Sequence, residues 1–100
     1  KVTFFNQLHD AALDFSCSPQ RIINSVSADK RRGFAHTRVP GFDGKKGFGG
    51  ACLPKDMNAF VKFNENLTLI AESVKINNKM REEYELDERE KSNNINFEDK

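Results

Sequence analysis

Cys52 stands between a glycine-rich run and a proline, in Gly47-Phe48-Gly49-Gly50-Ala51-Cys52-Leu53-Pro54-Lys55-Asp56. Three glycines in four residues let the backbone take positive φ and approach a ligand closely. Pro54 suits the first turn of a helix, so a helix should begin directly after Cys52. A sulfur at a helix N-terminus meets free N–H groups and the positive end of the helix dipole, and both favour an anion there. Lys55 adds positive charge about one turn away. Together these make Cys52 a candidate thiolate nucleophile. Asp56 follows at i+4, close enough to act on water or on a bound intermediate. The plainer reading is a packed, inert Cys beside glycines that merely turn the chain, since free Cys is usually buried. The glycine density, the helix start and the flanking charges favour chemistry.

Other residue types that could do chemistry carry less. Cys17, Cys52, His9 and His36 show none of the usual ligand spacings, so no metal site is expected. His9 falls on a helix surface, His36 lies in a loop where substrate could reach it, and Cys17 precedes a helix cap and reads as structural. Two cysteines in a Lys/Glu-rich chain without a secretory signal read as reduced thiols of a cytoplasmic protein. No window is apolar for long enough to span a bilayer.

The elements that must position Cys52 are helical. Phe4, Leu8, Ala11 and Phe15 draw one apolar stripe on a first helix. Ser18-Pro19 is a helix start, followed by Ile22, Ile23 and Val26, and this second helix should fade near Ala28-Asp29. Helix signals return at Pro54, with Met57, Phe60 and Val61 on one face. Asn64-Glu65-Asn66 reads as a turn, and Leu67, Ile70 and Val74 begin another stripe, which Ile76 and Met80 extend. Residues 81–91 are nearly all charged and can be helical through propensity and side-chain pairing. No strand alternation persists. The expectation is an all-α class: a small helical domain of about four helices with a long Gly-rich active-site loop. The domain would run over residues 1–91, with the loop at 29–56 and a frayed tail or linker at 92–100.

The chain has 100 residues, 37% of them apolar and 31% charged, enough for one small domain with a thin core. Such a domain gains from a partner surface. The net charge of +1 hides a basic cluster, Lys30, Arg31, Arg32, Arg38, Lys45 and Lys46, and an acid-rich stretch from Glu82 onward. All six glycines lie between Gly33 and Gly50, interleaved with Phe34, Phe42 and Phe48. A basic Gly/Phe-rich loop fits a nucleic-acid-binding module, but that alternative explains neither Cys52 nor Asp56. Lys1 runs straight into a helical pattern, so the chain reads as cut from something longer.

The ten residues around Cys52 closely resemble the active-site signature of the UDP-glucose and GDP-mannose dehydrogenase family. Asp29-Lys30-Arg31-Arg32-Gly33 is similar to the family's Asp-x-Arg-Ile-Gly, with Arg32 where Ile is usual. Val39-Pro40-Gly41-Phe42-Asp43-Gly44-Lys45 resembles a longer loop carried by some bacterial members. Phe5-Asn6-Gln7 resembles an Asn-Glu element, with Gln for Glu, and Asn77 sits where the family often has an Asn. The resemblance covers roughly residues 1–81.

The resemblance implies oxidation of the C6 alcohol of a nucleotide sugar to a carboxylate, with two NAD+ as oxidant and a Cys thiohemiacetal and thioester on the way. On that basis Cys52 is the covalent nucleophile and Asp56 positions or activates water. The backbone of Gly47, Phe48, Gly49 and Gly50 cradles the sugar, with the Phe48 ring as a wall. Cys52 and Lys55 lie beside the nicotinamide. Arg31 reaches across a homodimer to substrate in the other subunit. UDP-glucose is the expected substrate, with a UDP-N-acetylhexosamine or GDP-mannose as the alternative. NAD would be bound mainly by a domain absent from this sequence, because no Gly-x-Gly-x-x-Gly follows a strand. The isolated chain is therefore expected to form dimers and to lack activity.

Overall fold

The computed structural model describes residues 1–98. They form five helices and, among the described residues, no strand: α1 Val2–Asp14, α2 Pro19–Ser27, α3 Leu53–Phe63, α4 Thr68–Arg81 and α5 Glu88–Ser92. The class is all-α, with one short helix more than the sequence pattern predicts. Residues 28–52 hold only turns, bends and irregular backbone. The chain divides into two compact units, Lys1–Gly47 and Phe48–Lys100.

In the first unit α1 packs on α2. α1 ends because Ser16 turns left-handed (φ 57°), which lets the Cys17 N–H reach Ala12 O and the Ser16 N–H reach Leu13 O. That pair of bonds satisfies the last free carbonyls of α1. α2 then starts where the sequence indicates: Ser18 Oγ accepts from the Arg21 N–H at 3.4 Å, and Pro19 occupies the first helical position. The buried side of α1 is Thr3, Phe5, Asn6 and Ala12. The stripe expected to face inward does not: Phe4 is 58% exposed and Phe15 81%. Phe5 and Ala12 follow Phe4 and Ala11 by one residue, so the buried face is turned about 100° from the expected one. An apolar ridge remains open along α1.

In the second unit α3 packs on α4. The turn predicted at Asn64–Asn66 is present, with Asn64 Oδ1 accepting from the Asn66 N–H at 2.9 Å and Asn64 O accepting from the Leu67 N–H. The charged run breaks into two pieces. α4 closes at Arg81 with Lys79 and Arg81 in its last turn, where cations suit the dipole. α5 opens with a capping box: Asp87 Oδ1 accepts from the Glu90 N–H, and Glu90 Oε1 accepts from the Asp87 N–H, both at 2.9 Å.

The sequence reads residues 92–100 as a frayed tail or linker, yet Ile95 and Phe97 are buried. Asn94 takes a left-handed conformation (φ 56°), and the Ile95 N–H bonds back to Glu90 O at 2.9 Å. This closes α5 and places Ile95 where a hydrophobic contact normally accompanies such a cap. Ile95 and Phe97 therefore pack. The last two residues of that expected tail, 99 and 100, lie outside the described residues. No described helix is long and apolar enough to cross a membrane.

Candidate active site

Cys52 is the residue immediately before α3, with Leu53 and Pro54 beginning the helix. Its carbonyl accepts the Asp56 N–H at 2.9 Å, the first backbone bond of the helix. Its thiol is exposed and unpaired with Cys17, which is also free. The three chemically interesting residues of the motif thus share one helical turn. Lys55 and Asp56 are both exposed and approach each other to 3.7 Å, a solvated pair that costs little to separate.

The glycine-rich run before Cys52 is held by side chains from its own unit. Asn77, on the buried side of α4, is 0% exposed. Its Oδ1 accepts from the Phe48 N–H at 2.6 Å and its Nδ2 donates to Phe48 O at 2.9 Å. One amide therefore satisfies both main-chain groups of one residue, as a neighbouring strand would. Two residues on, the Gly50 N–H donates to Glu90 Oε2 at 3.0 Å. Gly50 has φ 89°, a conformation costly for residues with a side chain. A Cβ on Gly49 would fall 2.8 Å from the Arg81 guanidinium carbon and closer still to Glu90 Oε2. A side chain at 49 would have to push the Glu90 and Arg81 side chains aside. Phe48 itself is half-buried.

The remaining expected substrate residues belong to the first unit. The Gly47 N–H donates to Oδ1 of buried Asn6 at 3.0 Å, while Asn6 Nδ2 donates to Val2 O. Arg31 is exposed, and its guanidinium grips Asp29 in a fork, Nε to Oδ1 at 3.1 Å and Nη2 to Oδ2 at 2.7 Å. The Arg31 side-chain bond, then its backbone N–H, hold the Asp29 carboxyl below its ordinary range, and Asp29 raises Arg31 in turn. The Asp-x-Arg spacing thus pre-orients a guanidinium whose outer face stays open. Among the described residues no group of three His, Cys, Asp or Glu lies together to hold a metal ion.

Glu90 and Arg81 were not legible as site residues. Both sit in a charged run that reads as a solvated face, yet they are 1% and 3% exposed. The Asp87-x-x-Glu90 capping signature marks the start of α5 but not the second use of the Glu90 carboxylate. Nothing in the sequence marks Arg81, whose guanidinium lies over the Phe97 ring at 5.9 Å.

The described residues are thus all-α, with an exposed thiol at a helix start directly after a glycine-rich backbone held by Asn77 and Glu90. A family model described as the UDP-glucose/GDP-mannose dehydrogenase family, central domain, matches residues 1–81. The chain belongs to that family and carries its central domain, that of a nucleotide-sugar dehydrogenase. No solved structure matches the chain.

Proposed function

We propose that this chain is the dimer-forming centre of a cytoplasmic nucleotide-sugar 6-dehydrogenase that oxidises UDP-glucose to UDP-glucuronate, with Cys52 as covalent nucleophile. The observation that carries the reading is the exposed Cys52 thiol at the first turn of α3, directly after backbone held by Asn77 and Glu90. An open sulfur on a fixed main chain is what a nucleophile needs for attack on a carbonyl.

The chemistry that this chain supplies follows. The C6 alcohol loses a hydride and a proton and becomes an aldehyde. Cys52 Sγ adds to the carbonyl carbon, and the thiol proton ends on the oxygen as a thiohemiacetal. Loss of a second hydride and of the hydroxyl proton leaves a thioester. Water breaks the carbon–sulfur bond, releasing the carboxylate and restoring the thiol. Asp56 orders that water, the Gly47–Gly50 backbone cradles the sugar, and Phe48 walls it. Arg31 offers its guanidinium to substrate in a second copy. NAD supplies the hydride acceptor. Cys52 and Lys55, both exposed at the start of α3, would lie beside the nicotinamide. UDP-glucose is the family's commonest substrate, and the Pro40-Gly41-Phe42-Asp43-Gly44-Lys45 loop resembles that branch more closely, which favours it over a UDP-N-acetylhexosamine or GDP-mannose.

The test is NADH formation by the parent enzyme across these nucleotide sugars, with Cys52→Ala alongside. Two NADH per UDP-glucose, abolished in Cys52→Ala, are expected. Turnover that survives the substitution would remove Cys52 from the mechanism, and turnover with GDP-mannose alone would reassign the substrate.

A further inference from the structure

We propose that Glu90, in the stretch beyond the family-matched residues, is the positioning residue that fixes the main chain leading into Cys52. The inference rests on the reading of Cys52 as a nucleophile. Its geometry is independent of that reading.

Glu90 is 1% exposed, so its carboxylate had to leave water to reach this place. A carboxylate accepts such burial only where donors replace the lost hydration. Here each oxygen has a separate main-chain donor. Oε1 takes the Asp87 N–H at 2.9 Å, which completes the start of α5. Oε2 takes the Gly50 N–H at 3.0 Å, 40 residues away in sequence. One side chain therefore caps a short helix and fastens the glycine run. Gly50 is two residues before Cys52, and Gly49 leaves no room for a Cβ between the backbone and Glu90. With the N–H of residue 50 fixed, the chain enters α3 along one path.

Arg81 closes on the same side of Gly49, with its guanidinium carbon 2.8 Å from where a Cβ would stand. Phe97 backs Arg81, and Ile95 closes α5 from behind. The stretch from Asp87 to Phe97 is thus a brace for the cysteine segment. Loosening the brace frees the main chain that carries Cys52 into α3.

The experiment is alkylation of both cysteines by iodoacetamide at neutral pH, resolved by mass spectrometry, in the unaltered chain and in Glu90→Gln. Gln keeps the size but can accept at only one oxygen. Cys17, exposed and in the first unit, is the internal standard for reagent. A change in the Cys52 rate of at least about fivefold, with Cys17 unchanged and helical circular dichroism retained, is expected once the main chain before it is no longer fixed. Equal Cys52 rates within about twofold in folded Glu90→Gln would overturn the proposal. Should Glu90→Gln fail to fold, hydrogen exchange at the Gly50 amide of the unaltered chain decides. Strong protection is expected, and exchange as fast as in the exposed loop amides overturns it. Neither readout requires dehydrogenase turnover, so an inactive parent enzyme would sink the proposed function without deciding whether Glu90 fixes the main chain before Cys52.

Discussion

Asn77 spends both ends of its amide on the main chain of Phe48, and a buried polar side chain is costly in any other arrangement. Asn77→Ala would leave the Phe48 N–H and C=O without partners and open a small hole. A loss of about 1–3 kcal/mol in urea unfolding is expected, and a loss under about 0.5 kcal/mol would mean that water replaces the amide. Sequence reasoning reached this residue only by its place in a family pattern, because an Asn on a helix is usually solvated. It reached Cys52 by chemistry, since glycine, proline and lysine spacing around a thiol is a local signal. Glu90 and Arg81 gave no such signal: their burial depends on backbone 40 and 32 residues away, which no local window contains.

At the scale of elements, the starts and ends of α2 and α3 were legible, and the ends of α1 and α5 were not. Ser18-Pro19 and Pro54 announce α2 and α3 through capping and fixed φ. α1 ends on Ser16 and α5 on Asn94, both left-handed and neither a glycine. Ser16→Gly removes the strain of a side chain in that region and should stabilise by about 1 kcal/mol. A thermal melt checks this, and a lower melting temperature would show that the Ser16 side chain contributes more than its backbone costs. Another link ties α1 to the loop: Lys46 Nζ bonds Asp10 Oδ1 at 2.5 Å, with His9 Nδ1 at 3.3 Å. Burial pushes the Asp10 carboxyl up, but the hydrogen bonds from Lys46 and His9 outweigh it and hold the group below its ordinary 3.8. A folded value below the unfolded one means that the link stabilises above the ordinary aspartate range and is lost as pH falls through the folded value. Acid titration by circular dichroism should therefore show stability falling below about pH 4, with a shallower fall in Asp10→Asn. Equal acid profiles would mean that solvent screens the link to nothing.

At the scale of the whole molecule, the unexplained quantity is apolar surface. Phe4, Phe15, Phe63 and Leu69 are each more than half exposed, and apolar side chains gain by leaving water against a partner surface. The dimer in the proposed function would cover the α1 ridge of Phe4 and Phe15. Sedimentation at micromolar concentration should show a dimer, and Phe15→Glu should weaken it by placing a charge in the contact. A monomer at that concentration would remove the dimer from the reading. The same ridge explains why the apolar stripe of α1 misled: periodicity reports which face avoids water and is silent on whether the chain itself or another surface covers it. By itself the sequence determined the all-α class, the starts of α2 and α3, and the cysteine at the head of α3, because caps, prolines and helical spacing act within a few residues. Only the tertiary structure decided which face of α1 is buried, that Ile95 and Phe97 pack, and that Asn77 and Glu90 hold the glycine run, because each depends on groups distant in sequence losing water together, and a buried N–H must then find an acceptor.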